Sequence, residues 1–239
     1  GVGEFGVSTI DDKTPYAYEE QWTYLATSNG LTAAGGTNVV GYKNSIAGYN
    51  LSLEIDPGHT DNSTSGGSGD GGNTGANAAD KGWNAALTSG MGVEGLDAGI
   101  GHGEETNKSI TDANNSDQSN KGRKSQFQTA YVNYKYDRFT FGVQRSSSSS
   151  EVTDRAESEV EIYGIMAQLN PDFAISYSMM DRDIGTGNGT DVTEKTKGLG
   201  VSYTMGSAAV RVLLSDGDNI GGATGVDNEH MEVSLMLSF

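Results

Sequence analysis

Alternation of apolar and polar residues with a period of two recurs along nearly the whole chain, and helical periodicity is almost absent. Such alternation places one greasy and one wet face on an extended segment, because successive side chains of a strand point to opposite sides. In GYNLSLEID, Tyr49, Leu51, Leu53 and Ile55 oppose Asn50, Ser52, Glu54 and Asp56. In QFQTAYVNYKY, Ala130, Val132, Tyr134 and Tyr136 oppose Tyr131, Asn133 and Lys135. The last nine residues, MEVSLMLSF, place Met231, Val233, Leu235, Leu237 and Phe239 together. The same pattern runs through TNVVGYKNS, WNAAL, LDAGIGHG, RFTFGVQR, VEIYGIMAQL, FAISYSMMDRD, KGLGVSYTMG and AAVRVLLSDGD, which gives eleven expected strands.

The connections alternate as well. Every second one is tight: NSIAG, SGMGVEG, YDRF, LNPDF and MGSA. The others are long and built from Gly, Ser, Asn, Asp and Thr: residues 57–81, 103–125, 146–158, 184–196 and 218–230. Taken singly, tracts such as NSTSGGSGDGGNTG or SSSSS are the composition of flexible linkers. Their regular exchange with tight turns instead describes an all-β, antiparallel up-and-down barrel of the transmembrane type, with short turns at one end and long loops at the other. Aromatics gather at the tight-turn ends (Tyr49, Tyr136, Phe139, Phe173, Tyr203 and Phe239), where a membrane barrel carries its interfacial girdle. A secreted β-sandwich, which buries its apolar faces in a common core, is the competing architecture.

Composition removes several function classes. With 15 Lys+Arg against 32 Asp+Glu the net charge is −17, so the chain lacks the basic face that nucleic acid requires. No stretch approaches the roughly 18 to 20 apolar residues of a membrane helix, which leaves barrels untouched. The absence of Cys removes disulfides, thiol catalysis and Cys-ligated metals. His59, His102 and His230 have no metal-ligand spacing and read as exposed loop or strand-end residues. There is no Gly-x-Ser-x-Gly elbow, and DGDNIGG lacks the spacing of a calcium loop. Neither a catalytic group, a metal nor a cofactor is expected.

Three stretches then resemble the general porins of Gram-negative outer membranes, a trimeric, sixteen-stranded family. The final strand ending in Leu235, Leu237 and Phe239 is similar to the signal read by the outer-membrane insertion machinery. VVGYKNSIAGYNLSLEI resembles the strand, turn and strand that follow the family's inward-folded constriction loop. GEFG at residues 3–6 resembles the tip of that loop, with Gly3 and Val7 where the family has Pro and Gly. The resemblance implies that residues 1–37 form the inward loop and 38–239 the barrel strands. In the family that loop follows strand five, so eleven further strands complete sixteen, and the chain reads as the C-terminal two-thirds of a longer porin. The rival is a complete twelve-stranded barrel with AYEEQWTYLA as an extra strand.

If the first loop folds inward, Glu4, Asp11, Asp12, Glu19 and Glu20 form an acidic wall at the narrowing; otherwise they solubilise a surface loop. Strand parity nominates Lys43, Lys135, Arg182 and Arg211 for the inner, basic wall, because Arg or Lys facing lipid at mid-membrane costs about 2 to 4 kcal/mol. Lys135 lies one residue from a tight turn, close enough to the interface to snorkel. The expected function is passive diffusion of small hydrophilic solutes and ions through a cation-preferring, water-filled pore. The resemblance implies a homotrimer seated among membrane lipid and lipopolysaccharide. An adhesin or phage receptor acting through the long loops, and the secreted sandwich, are the alternatives.

Overall fold

In the computed structural model the described residues are 2–3, 13–19, 39–56, 79–107, 123–151, 157–185 and 191–237. They contain β1 (Val2–Gly3), β2 (Val39–Ile46), β3 (Tyr49–Asp56), β4 (Ala79–Ser89), β5 (Leu96–Asn107) and β6 (Lys124–Tyr136). Then follow β7 (Phe139–Ser150), β8 (Glu157–Asn170), β9 (Phe173–Gly185), β10 (Val192–Met205), β11 (Ala208–Asp218) and β12 (Asn228–Leu237). All twelve form a single sheet in chain order, and every neighbouring pair is antiparallel. The eleven expected strands are β2 to β12. The two-residue β1 is an addition, formed inside the stretch assigned to the first loop by pairing Val2 with Val40 and Gly3 with Val39.

The five tight connections fall where the sequence puts them. Ala47, Asp137 and Met91 take a positive φ, and Gly48, Gly92, Gly95 and Gly206 supply the same conformation without a Cβ penalty. Each turn is also tied to the next hairpin. Gly48 O accepts from Ser89 Oγ, and Gly95, Arg138 and Asp172 carbonyls accept from the amides of Lys135, Gln168 and Thr204, all at 2.8 Å. A continuous line of bonds therefore closes the tight-turn rim. A side chain at Gly95 would run into the Lys135 carbonyl, so the approach that makes this stitch requires glycine there.

The long-loop ends depart from expectation. Strands there run further than the alternation suggests, and the serine tract is strand rather than loop: Ser146 to Ser150 pair with Thr129 to Ser125. The reason lies in the inner face. Ser146 and Thr129 hydroxyls lie 2.8 Å apart, Ser150 and Ser125 2.8 Å, and Ser148 and Ser158 3.0 Å. Hydroxyls facing one another across strands satisfy each other, so a low-complexity run becomes a polar ladder.

The two faces differ as the alternation requires. Outward are Tyr134, Phe141, Tyr163, Tyr177, Val210 and Val233, all exposed. Inward are Asn84, Thr129, Gln144, Ser146, Ser178 and Thr196, all buried. On β10, β11 and β12 four successive outward residues are apolar, from Met205 to Leu199, Ala208 to Leu214, and Leu237 to Met231. Four alternating residues cover about 20 Å of strand. At the usual tilt this is a short version of the apolar band of about 25 Å found on membrane barrels. Above it the next outward residue is charged on six consecutive strands: Arg145, Glu161, Asp181, Lys197, Asp216 and Glu229. The boundary is level from strand to strand, since Arg145, Glu161 and Asp181 share one rung and Lys197, Asp216 and Glu229 another.

The inner face is not uniformly polar. Val160, Ile162 and Met180 form an inward-facing cluster that is at most 2% exposed. Beside them Ile184 is packed by Gly222 of the connection between β11 and β12, so part of this wall is dry.

The opposite orientation of neighbouring residues gives a direct test. Leu53 faces outward and Ser52 inward. Leu53→Arg is expected to lower unfolding stability in lipid by about 2 to 4 kcal/mol, and Ser52→Arg by far less, measured by denaturant titration in vesicles. Equal losses would contradict the assignment of faces.

Candidate functional site: a strap across the inner wall

Residues 13–19, KTPYAYE, lie against the inner face and cross it strand by strand. The Lys13 amide donates to Gln144 Oε1 on β7 at 2.8 Å, and Asn133 Nδ2 on β6 donates to the Lys13 carbonyl. Pro15 sits over Gly142 of β7 and Gly164 of β8. The Ala17 amide donates to Ser176 Oγ on β9 at 2.8 Å, and the Ala17 and Tyr18 amides lie over Gly200 of β10. The Tyr18 hydroxyl donates to Glu232 Oε1 on β12 at 2.7 Å and lies 3.0 Å from Ser234 Oγ. The Arg211 guanidinium of β11 stacks over the Tyr18 ring, 5.3 Å from its centroid. The backbone thus crosses three strand spacings of about 4.8 Å each, and one tyrosine spans the remaining two.

Three glycines make the bed. A Cβ on Gly164 would come within 3.0 Å of Pro15 Cδ and 3.1 Å of Thr14 Cβ, and one on Gly142 would collide with Pro15 and Asn133. Gly200 is confined by Ser176 Oγ at 2.8 Å or closer. Thr14 is buried, and the strap's free amides are met by Gln144 and Ser176, so this irregular backbone is satisfied by the wall it crosses. Burying a strap without such partners would cost about 1 to 3 kcal/mol for each orphaned group.

The electrostatics concentrate at the β12 end. Ser234 Oγ also donates to Glu232 Oε1, so phenol, hydroxyl and carboxylate form one bonded group beneath Arg211. The Ser234 bond favours phenolate, but Glu232, burial and the nearby Glu19 outweigh it and hold the Tyr18 phenol above its ordinary range. It remains a neutral donor at physiological pH.

Of the residues named from sequence, Arg211 and Glu19 belong to this neighbourhood. Arg182 faces inward but pairs with Glu194 at 3.7 Å, whose other contact is the Gly221 amide at 3.3 Å. Lys43 and Lys135 keep inward parity and are exposed. Leu235 and Leu237 are exposed on the outer face. Glu4, Asp11, Asp12, Glu20, His59 and Phe239 lie outside the described residues. His102 lies within β5 rather than in a loop, its ring 5.3 Å from that of Trp83. Sequence reasoning missed Tyr18, Gln144, Ser176 and Glu232. Their inward parity was legible, but partners 131 to 214 residues away were not.

No family model and no curated protein matches the sequence. Solved structures do match in fold. The outer membrane channel DcaP of Acinetobacter baumannii superposes with a TM-score of 0.64 at 12% identity, over 98% of this chain and 69% of that one. OmpT of Vibrio cholerae gives 0.58 at 11% identity over 84% and 64%. The anion-selective porin of Comamonas acidovorans gives 0.57 at 11% over 85% and 60%. The fold is therefore that of Gram-negative outer-membrane porins, an all-β barrel architecture. The chain spans 64% of the length of the Vibrio protein and 60% of the Comamonas one.

The strap's anchoring can be measured directly. Tyr18→Phe removes hydrogen bonds that include one to a carboxylate, worth about 1.5 to 3 kcal/mol. Exchange of the Ala17 amide should then rise about ten- to a hundredfold, with sheet amides unaffected. Unchanged protection at Ala17 would show that Tyr18 does not hold the strap.

Proposed function

We propose that this chain contributes to an outer-membrane porin, a water-filled pore for passive diffusion of small hydrophilic solutes and ions. The observation that carries the reading is the strap: a satisfied, irregular segment crosses the polar face of a sheet whose other face is apolar and exposed. Non-helical, non-sheet backbone at membrane depth is tolerated only where it is covered by protein or lines an aqueous cavity. A strap on an inner wall narrows a passage, and narrowing by protein groups is how a passive pore selects. No bond is made or broken in that function, so no catalytic group is needed.

Cation preference is part of the proposal and rests on charge placement. Charges on outer loops are screened within about 8 to 10 Å at physiological salt, so they do not set selectivity at a narrowing. Carboxylates in the lumen act where little water intervenes. Glu19 and Glu232 lie at the strap, and Glu4, Asp11, Asp12 and Glu20 belong to the same N-terminal stretch. Arg211 is the opposing basic group, with Lys43, Lys135 and Arg182 as further inner-wall candidates. A homotrimer follows the same analogy, since Vibrio OmpT is described in a trimer form. Insertion-machinery recognition of Leu235, Leu237 and Phe239 and contact with lipopolysaccharide complete the reading.

Planar-bilayer recording tests it. The protein should form stable conducting steps, whereas a plugged adhesin or phage receptor would insert silently. Neutralising Glu4, Asp11 and Asp12 together should shift the zero-current potential in a salt gradient toward anions, most clearly at low salt. The same number of neutralisations in the loops between strands should change it little. Equal shifts would place residues 1–37 at the surface rather than in the lumen.

A further inference from the structure

Two hollows indent the outer wall at the boundary between its apolar band and its charged belt. The first, of about 510 Å³, has Tyr177, Leu199, Leu214 and Met231 on its apolar side. Its upper edge carries Lys197, Asp216 and Glu229. The second, of about 640 Å³, opens where the small Ala130 sits between Ile100 and Arg145 on one rung. Its upper edge carries Arg145 and Glu159.

The charges follow one plan in both places. Lys197 Nζ is 2.8 Å from Asp216, and Glu229 is the cross-strand neighbour of Asp216. Arg145 is bonded to Glu159 and lies 3.7 Å from Glu161. Each hollow thus offers one cation and two carboxylates, 1 − 2 = −1 in net charge. Such a surface repels a purely anionic head. It complements a head with both signs: phosphate oxygens accept from the ammonium or guanidinium, and a primary amine donates to the surplus carboxylate. The apolar side below takes a hydrocarbon chain, with each buried CH₂ contributing about 0.8 kcal/mol.

We propose that both hollows hold membrane lipids whose headgroup carries a phosphate and a primary amine. The phosphate sits on Lys197 or Arg145, the amine on Glu229 or Glu161, and an acyl chain lies over Leu199 and Leu214 or over Ile100 and Ala130. The proposal needs the outer face to lie in lipid and is independent of conduction.

The purified protein, reconstituted with equal phosphatidylethanolamine, phosphatidylglycerol and phosphatidylcholine and then stripped in mild detergent, should retain phosphatidylethanolamine in native mass spectrometry. Up to two molecules per chain are expected. Glu229→Gln and Glu161→Gln should each abolish the preference at one hollow, and Leu214→Trp, which fills the first, should lower the count by one at unchanged single-channel conductance. If Leu214→Trp does not fold, Lys197→Gln with Glu229→Gln provides the same reading through the lost preference. Equal retention of phosphatidylglycerol, or no change in the glutamate variants, overturns the headgroup assignment. Loss of every lipid from a protein that still conducts overturns the hollows and leaves the pore standing, whereas failure to enter vesicles at all removes the membrane reading itself.

Discussion

Every backbone amide and carbonyl at membrane depth must find a partner within the protein, because hydrocarbon offers none. The rest of this structure depends on that constraint. It explains why neighbouring strands pair along their length in chain order, why the turns are stitched to the following hairpin, and why a serine run at the outer end continues the ladder. It also governs the strap. A segment without its own secondary structure lies across the wall only because Gln144, Asn133 and Ser176 meet its polar groups. Three glycines let it approach closely enough for them to do so.

Much of the fold was legible in the sequence because period-two alternation is local. The outward placement of Leu51, Leu53, Tyr134, Val210 and Leu235, and the positions of all five tight turns, need nothing beyond neighbouring residues. The serine tract was misread because composition reports flexibility only for residues without partners, and its partners lie on β6 and β8. The inward apolar cluster of Val160, Ile162 and Met180 defied the simple two-face rule for a related reason: part of this wall packs against protein rather than water. The candidate site was legible only as inclination. Arg211 could be placed inward by parity, but its stacking on Tyr18 joins residues 193 positions apart in the chain (211 − 18).

The fold alone does not set the sign of the ions a pore prefers, since function resides in side chains grafted onto an architecture shared by many proteins. One of the structures this chain resembles is described as anion-selective. In this chain the residues gathered at the end of the strap are Tyr18, Glu19, Arg211, Glu232 and Ser234. A neutral phenol bonded to one charge and stacked beneath the other couples the positions of both, so acid and base on this wall are not independent groups. Moving the strap would move the local field with it.

The bond from Tyr18 to Glu232 joins residues 214 positions apart. Contacts of such separation form late, because the chain between must first be ordered. The strap leaves Lys13 on β7, passes β8, β9 and β10, and is fastened only on β12, the final strand described. The passage therefore acquires its bore last. A partly assembled wall carries a slack strap, and the calibration of the opening is the closing act of folding rather than a property of the loop itself.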